Sequence, residues 1–244
     1  MRLGGRLEVH LRSPAGRAVP VKRRSTSIEG LDEILAGGLP IPSTVLVAGE
    51  PGAGKTTFAV QFLFGGAKQG ENALYITGIS EPQWLVQHFL SGFKWFDAHQ
   101  VDEGRVVFAD IGPALREKPE EILPQITSLV EAYSPKRLVI DPITPMIEAL
   151  KRKGKEREFM HDLFAYLKSF EATTLITAEL HASDITRSIE GYMADGIILL
   201  SYPEQDGVRR KYLEVIKMRG TRHHTGRHVM DITPEGVVVQ SGLR

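Results

Sequence analysis

Eight consecutive residues, "GEPGAGKT" from Gly49 to Thr56, carry the residue types that grip a polyphosphate, at the spacing G-x-x-x-x-G-K-[ST]. Gly52 and Gly54 let the backbone curl so that successive N–H groups face phosphate oxygens. A helix opening at Lys55 adds partial positive charge at the same point. Glu50, Pro51 and Ala53 complete the loop, and Thr57 follows it into the helix. Lys55 suits the β- and γ-phosphates as a compact cation, and the Thr56 hydroxyl suits a magnesium ion. A merely structural glycine-rich turn would leave Lys-Thr at this spacing unexplained. ATP with Mg²⁺ is the expected ligand.

A second carboxylate must help to hold that metal, ordinarily at the tip of an apolar strand. "RLVID" supplies Asp141 there. An aspartate before a proline also serves simply to end a strand in a turn. Paired with the upstream cradle, Asp141 reads as the direct or outer-sphere partner of Mg²⁺.

The elements that must position these groups follow from periodicity. "STVLVAG", "ALYIT", "RVVFAD", "RLVID", "TTLITAE" and "GIILLSY" are short apolar runs that suit buried strands. Between them lie helical patterns in "KTTFAVQFLFGGAKQG", "EPQWLVQHFLSGF", "PEEILPQITSLVEAY" and "EREFMHDLFAYLKSFE", the third in spite of Pro124. Alternation of this kind predicts βαβ units and a mainly parallel sheet, covered on both faces. "RKYLEVIKMRG" and "VVVQ" are expected to add an antiparallel C-terminal edge. The fold class is α/β.

The chain has 244 residues and no cysteine, which excludes disulfides, thiolate metal sites and cysteine nucleophiles. Lys plus Arg equal Asp plus Glu, at 30 each, so net charge favours neither nucleic acid nor membrane. No stretch has the roughly 20 apolar residues of a membrane span, and the first residues lack the apolar core of a signal peptide. A cytoplasmic protein is expected. Residues 1–24 read as a basic extension preceding a domain over 25–244. Two further basic runs, "KRKGKER" from Lys151 and "KMRGTRHHTGRH" from Lys217, stand out. His224 and His228 in the latter lack the further ligands a structural zinc site requires.

The blocks "TSIEGLDEILAGGLPIPSTVLVAGEPGAGKTT", "YITGISEPQ", "RLVID", "TTLITAE", "ADGIILL" and "LEVIKMRGTRHHTG" resemble the KaiC-like ATPases of the RecA superfamily, in a single copy of the domain. The resemblance implies a RecA-like P-loop core that assembles into a homo-oligomeric ring, commonly a hexamer, with ATP between neighbours. It also implies that a K-x-R-G-x-x-H segment of one subunit reaches the phosphates held by the next. Lys217, Arg219 and His223 occupy those positions here. A cation supplied in trans would neutralise charge developing on the γ-phosphate, and the forked guanidinium of Arg219 suits that task. The alternative is a solvated basic hairpin.

In the family, the strand after the cradle helix ends in Thr, an aromatic residue and two glutamates that polarise the attacking water. Here Thr77-Gly78 is followed by Ile79 and Ser80, and Glu81 comes one position late. On a strand that slip turns a side chain to the other face. Ser80 with Gln83 has the form of a capping box, and Pro82 suits a first helical turn, so Glu81 is explained without a catalytic task. Its alternative role is catalytic, if the loop carries it to the water. The expected function is ATP binding with slow hydrolysis, acting as a nucleotide-dependent switch toward an unknown protein partner. Competing readings are a RecA-type DNA-binding recombinase or motor, for which "KRKGKER" is the candidate loop, and an autokinase.

Overall fold

In the computed structural model, residues 21–78 and 83–242 are described. The apolar runs become nine strands of one sheet: β1 Ser43–Gly49, β2 Ala73–Thr77, β3 Val106–Asp110, β4 Arg137–Ile140, β5 Thr173–Glu179, β6 Gly196–Ser201, β7 Tyr212–Met218, β8 Arg227–Thr233 and β9 Gly236–Val239. Their spatial order is β9-β8-β7-β6-β1-β5-β4-β2-β3. From β6 to β3 all neighbours run parallel. From β6 to β9 they run antiparallel. The expected parallel core with an antiparallel C-terminal edge is therefore observed.

Strand β1 is buried at every residue, and alternation divides it between two cores. Val45 and Val47 pack with Phe58, Phe62 and Leu63 of helix α1 (Lys55–Ala67), together with Tyr75, Val139 and Leu175. Leu46 and Ala48 face the opposite layer, with Ile126 of α3 (Ile122–Tyr133), Met146 of α4 (Thr144–Lys151) and Leu163 of α5 (Glu156–Lys168). Helix α2 (Gln83–Leu90) puts Val86 and Leu90 on the α1 side. Pro124 sits in the first turn of α3, where its missing N–H would have had no intrahelical partner anyway.

Two of the elements absent from the sequence reading bear on the site and the edge of the sheet. Helix α4 follows Asp141 directly, and strand β8 occupies the tail of the basic run "KMRGTRHHTGRH".

Beyond the sheet, Arg23–Arg24 pair antiparallel with Leu39–Pro40. Arg24 is buried rather than solvated: its Nε lies 3.0 Å from Glu71, and its Nη1 donates to Thr173 Oγ1 at 2.7 Å. Glu71 also receives Nε of the fully buried Arg137 at 2.6 Å, while Arg137 Nη1 donates to the Phe62 carbonyl. Two guanidinium groups thus share one carboxylate beneath α1, which satisfies charges that burial would otherwise penalise heavily. Residues 1–20, most of the expected basic extension, lie outside the described residues, as do Ile79 to Pro82.

Candidate nucleotide site

The loop between β1 and α1 leaves the sheet at the carboxyl end of its central strand, the usual place for ligands in open α/β sheets. Gly52 and Gly54 adopt φ of 81° and 100°, left-handed values that a side chain resists. At Gly54 an added Cβ would also come within 2.8 Å of Ile232 Cδ1. Gly54 is the N-cap of α1, and no side chain caps it. The first amides of the helix are thus left for a ligand to satisfy.

The loop is braced from the antiparallel edge. The Tyr202 hydroxyl donates to the Pro51 carbonyl at 2.6 Å, and Lys211 Nζ donates to the Gly52 carbonyl at 2.6 Å. A trans peptide puts the Gly52 N–H opposite the Pro51 carbonyl, so this bond turns that amide away from Tyr202. Burial holds the Lys211 ammonium below its ordinary pKa. Glu50 points elsewhere, its Oε1 lying 2.9 Å from His181 Nδ1. Ala53 is fully buried, its amide bonded to the Glu50 carbonyl.

Lys55 is buried and donates to the carbonyls of Gly49 and Glu50 at 2.9 and 3.0 Å. Burial lowers its pKa, and the nearby charges of Glu179 and then Asp141 partly restore it. A cation desolvated in this way interacts strongly with any anion brought beside it.

Asp141 follows β4 and is buried as well. Its Oδ2 accepts from the Tyr75 hydroxyl at 2.8 Å, and its Oδ1 accepts a short hydrogen bond from Thr177 Oγ1. Tyr75, Val139 and Leu175 all belong to the α1-side core. Two-residue alternation therefore carries Asp141, Thr177 and Glu179 to that same face at the strand ends. Because β4 lies between β2 and β5, three strands bring one carboxylate and two hydroxyl donors together.

Lys55, Thr56, Thr57, Asp141 and Glu179 line a cleft of about 490 Å³, a volume typical of small-molecule sites. Val86, Phe89 and Leu90 of α2 and Ile232 of β8 form its apolar portion. The cleft therefore offers both polar groups and apolar side chains, and Ile232 lies directly against Gly54 of the loop. For Mg²⁺ the donor set is hard oxygen, the Thr56 hydroxyl and the Asp141 carboxylate, as that ion requires. Sequence reasoning singled out Lys55, Thr56 and Asp141 but not Tyr75, Thr177 or Glu179, although the i, i+2 spacing within "TTLITAE" places the last two on one face.

Lys217, Arg219 and His223 are elsewhere. Strand β7 runs antiparallel to β6, with Lys217 opposite Ile197 and Met218 opposite Gly196. Gly196 in turn pairs with Val45, near the start of β1. Lys217 is thus level with Leu46 in the middle of β1, and Arg219 lies level with Thr44 at its amino end, whereas the cradle leaves the carboxyl end, about 17 Å from Arg219 at ~3.3 Å per residue. Lys217 Nζ donates to the Ala194 carbonyl at 2.6 Å, and Arg219 Nη1 lies 3.5 Å from Asp195 Oδ1. Burial lowers the Lys217 pKa, with Asp195 opposing the shift. His223 Nδ1 is 3.3 Å from the His224 carbonyl. Glu81, the candidate catalytic carboxylate, lies outside the described residues.

The sequence matches the family described as "ATPase: KaiC" over residues 24–244. It is 32% identical over 232 residues to the circadian clock oscillator protein KaiC of Synechococcus elongatus, covering 89% of this chain and 44% of that protein. The chain thus spans less than half the length of the clock proteins it matches. Against UPF0273 protein MK0039 of Methanopyrus kandleri it is 32% identical, covering 90% of this chain and 92% of the relative. Among solved structures, the KaiC-like protein PH0186 of Pyrococcus horikoshii superposes with a TM-score of 0.80 at 33% identity, over 91% of this chain and all of that one. The fold is thereby RecA-like, and the chain belongs to the KaiC-like ATPases.

Proposed function

We propose that the protein binds ATP with Mg²⁺ in the cleft above β1, hydrolyses it slowly, and uses the nucleotide to control assembly of a homo-oligomeric ring, hexameric as the resemblance implies, that signals to a protein partner. The observation that carries the nucleotide reading is the convergence of buried Lys55, the uncapped start of α1 and buried Asp141 on one cleft. Gly52, Gly54 and Lys55 would hold the phosphates. Thr56 and Asp141 would hold the metal, which when bound neutralises charge on the phosphate oxygens. Val86, Phe89, Leu90 and Ile232 offer an apolar seat for the base.

The ring reading draws support from the two ends of the sheet. A subunit cannot bring its own Arg219 to its own cradle when the length of β1 separates them. A head-to-tail neighbour can. Such heterologous contacts close into rings when the rotation permits. Lys217, Arg219 and His223 would then complete the phosphate site of the next subunit. Ile79 and Ser80, which replace the usual glutamates, account for slow turnover. The setting we propose is the cytoplasm, and no helix among the described residues is long and apolar enough to cross a membrane. Residues 1–24 we regard as an extension to the ATPase domain at 25–244.

The test is titration calorimetry with Mg·ATP on the wild type and on Lys55→Ala, with native mass measured with and without nucleotide. Lys55-dependent heat together with nucleotide-dependent assembly is expected. Binding that survives Lys55→Ala, or a chain that stays monomeric when saturated, would overturn the corresponding half of the proposal.

A further inference from the structure

Among the described residues, one carboxylate of the cleft has no hydrogen bond, no ion pair and no assigned task. Glu179 ends β5, paired in register with Gly49, the first residue of the phosphate loop. Its amide accepts no freedom of position, because it donates to Thr144 Oγ1 at 3.0 Å. Glu179 lies two residues beyond Thr177, hence on the same face of β5, beside the hydroxyl that binds Asp141. Its side chain lines the cleft together with Lys55 and Asp141. Among the described residues, the Glu179 carboxylate forms no hydrogen bond or ion pair. It is also the acidic group that acts most strongly on Lys55, ahead of Asp141.

Resting on the nucleotide reading above, we infer that Glu179 is the general base for ATP hydrolysis in this protein, in the role that Ile79 and Ser80 cannot fill. Among the described residues, Asp141 and Glu50, the other acids near the loop, are committed. Both oxygens of Asp141 accept hydrogen bonds, which fixes it as a buried anchor. Glu50 bonds to His181 and does not line the cleft. Lys55 marks where the terminal phosphates would sit, and Glu179 is, among the described residues, an unpaired acid lining the same cleft. In the step itself a water oxygen attacks the γ-phosphorus while the bond from that phosphorus to the β,γ-bridging oxygen breaks. The water proton passes to the Glu179 carboxylate, and ADP and inorganic phosphate leave.

The experiment measures Mg·ATP affinity by calorimetry and single-turnover hydrolysis at saturation, for the wild type, Glu179→Gln, Glu179→Ala and Lys55→Ala. General-base action is worth about 10²–10⁴-fold in rate. Glu179→Gln is therefore expected to bind ATP within about 3-fold of wild type and to lose about 10²-fold or more of the single-turnover rate. Added formate, a small carboxylate able to enter the space left in Glu179→Ala, should restore part of the rate there and none in Lys55→Ala. Hydrolysis by Glu179→Gln within about 3-fold of the wild-type rate overturns the inference. So does a wild type that binds ATP yet never hydrolyses it. Absence of Lys55-dependent binding removes the nucleotide reading itself, and the inference falls with it.

Discussion

The Tyr75 hydroxyl donates to Asp141 Oδ2 at 2.8 Å across the junction of β2 and β4. With Thr177 on the other oxygen, this bond orients the buried carboxylate proposed to hold Mg²⁺. A ligand held in its working orientation loses less freedom on binding. Tyr75→Phe removes one donor and leaves the ring packed in the α1-side core. Hydrogen bonds to charged groups are worth about 1.5–3 kcal/mol, so Mg²⁺-dependent ATP affinity should fall by about 10-fold or more. Affinity measured in excess chelator should change little. Equal losses in both conditions would show that Tyr75 acts on the cleft in general and not through Asp141.

Lys55 gives a pH dependence with a definite sign. Burial lowers its pKa below the ordinary lysine value, with Glu179 and Asp141 opposing. A lysine depressed on folding binds fewer protons folded than unfolded, so the penalty of charging it is present at low pH. That penalty is relieved as pH rises from the folded value toward the ordinary one. In the absence of nucleotide, the wild type should therefore gain stability relative to Lys55→Met over that interval, measured by denaturant titration. ATP affinity should move the opposite way, weakening as Lys55 loses its proton at a pH below that of an exposed lysine. A stability difference that stays flat through this range would exclude a depressed Lys55.

Much of this architecture is legible in the chain. The cradle announces itself because three glycines, a lysine and a threonine have one chemical reason to share eight positions. The buried strands announce themselves as apolar runs of β-branched residues. Strand order is different. Nothing in "ALYIT" or "TTLITAE" says that β4 will lie between them, and without that fact Tyr75 and Thr177 have no visible connection to Asp141. Strand β8 was obscured because it starts inside the basic run, and its exposed charged positions, Arg227 and Asp231, flank buried ones such as His228 and Met230. Charge therefore dominated the reading of that stretch. Helix α4 was missed for a related reason: Asp141-Pro142 reads as a turn, while the amphipathic "TPMIEALK" is too short to declare its period against the charged run behind it.

Glu71 is the acid on which the base of the molecule depends. Burial pushes its carboxyl up, but the hydrogen bonds and charges of Arg137 and then Arg24 outweigh that effect and leave the pKa lowered. A depressed carboxyl contributes stability above its ordinary value and loses it as pH falls through the folded value. Glu71→Gln should destabilise the protein at neutral pH by about 2–3 kcal/mol, somewhat under the figure for a fully enclosed pair, since Glu71 is partly exposed. Melting temperatures recorded down an acid series should converge for the two proteins, because the wild type forfeits the same charge. Parallel curves at every pH would assign the loss to shape and not to charge.

Arg219 and the Lys55 cradle lie at opposite ends of β1, and that separation makes subunit mixing decisive. Arg219→Ala alone should retain ATP binding but lose about 10³-fold in turnover, the lower range for an arginine supplied to a γ-phosphate. Lys55→Ala alone should lose binding. Each variant keeps the half-site that the other lacks. In a head-to-tail ring of mixed subunits, some interfaces pair an intact cradle from Arg219→Ala with an intact Arg219 from Lys55→Ala. If the site is shared as proposed, those interfaces should hydrolyse ATP, so a mixture of two inactive proteins should recover activity, to an extent set by the mixing ratio. If Arg219 served only its own subunit through its ion pair with Asp195, no ratio would restore turnover. Steady-state phosphate release across a mixing series therefore separates a shared site from a local one.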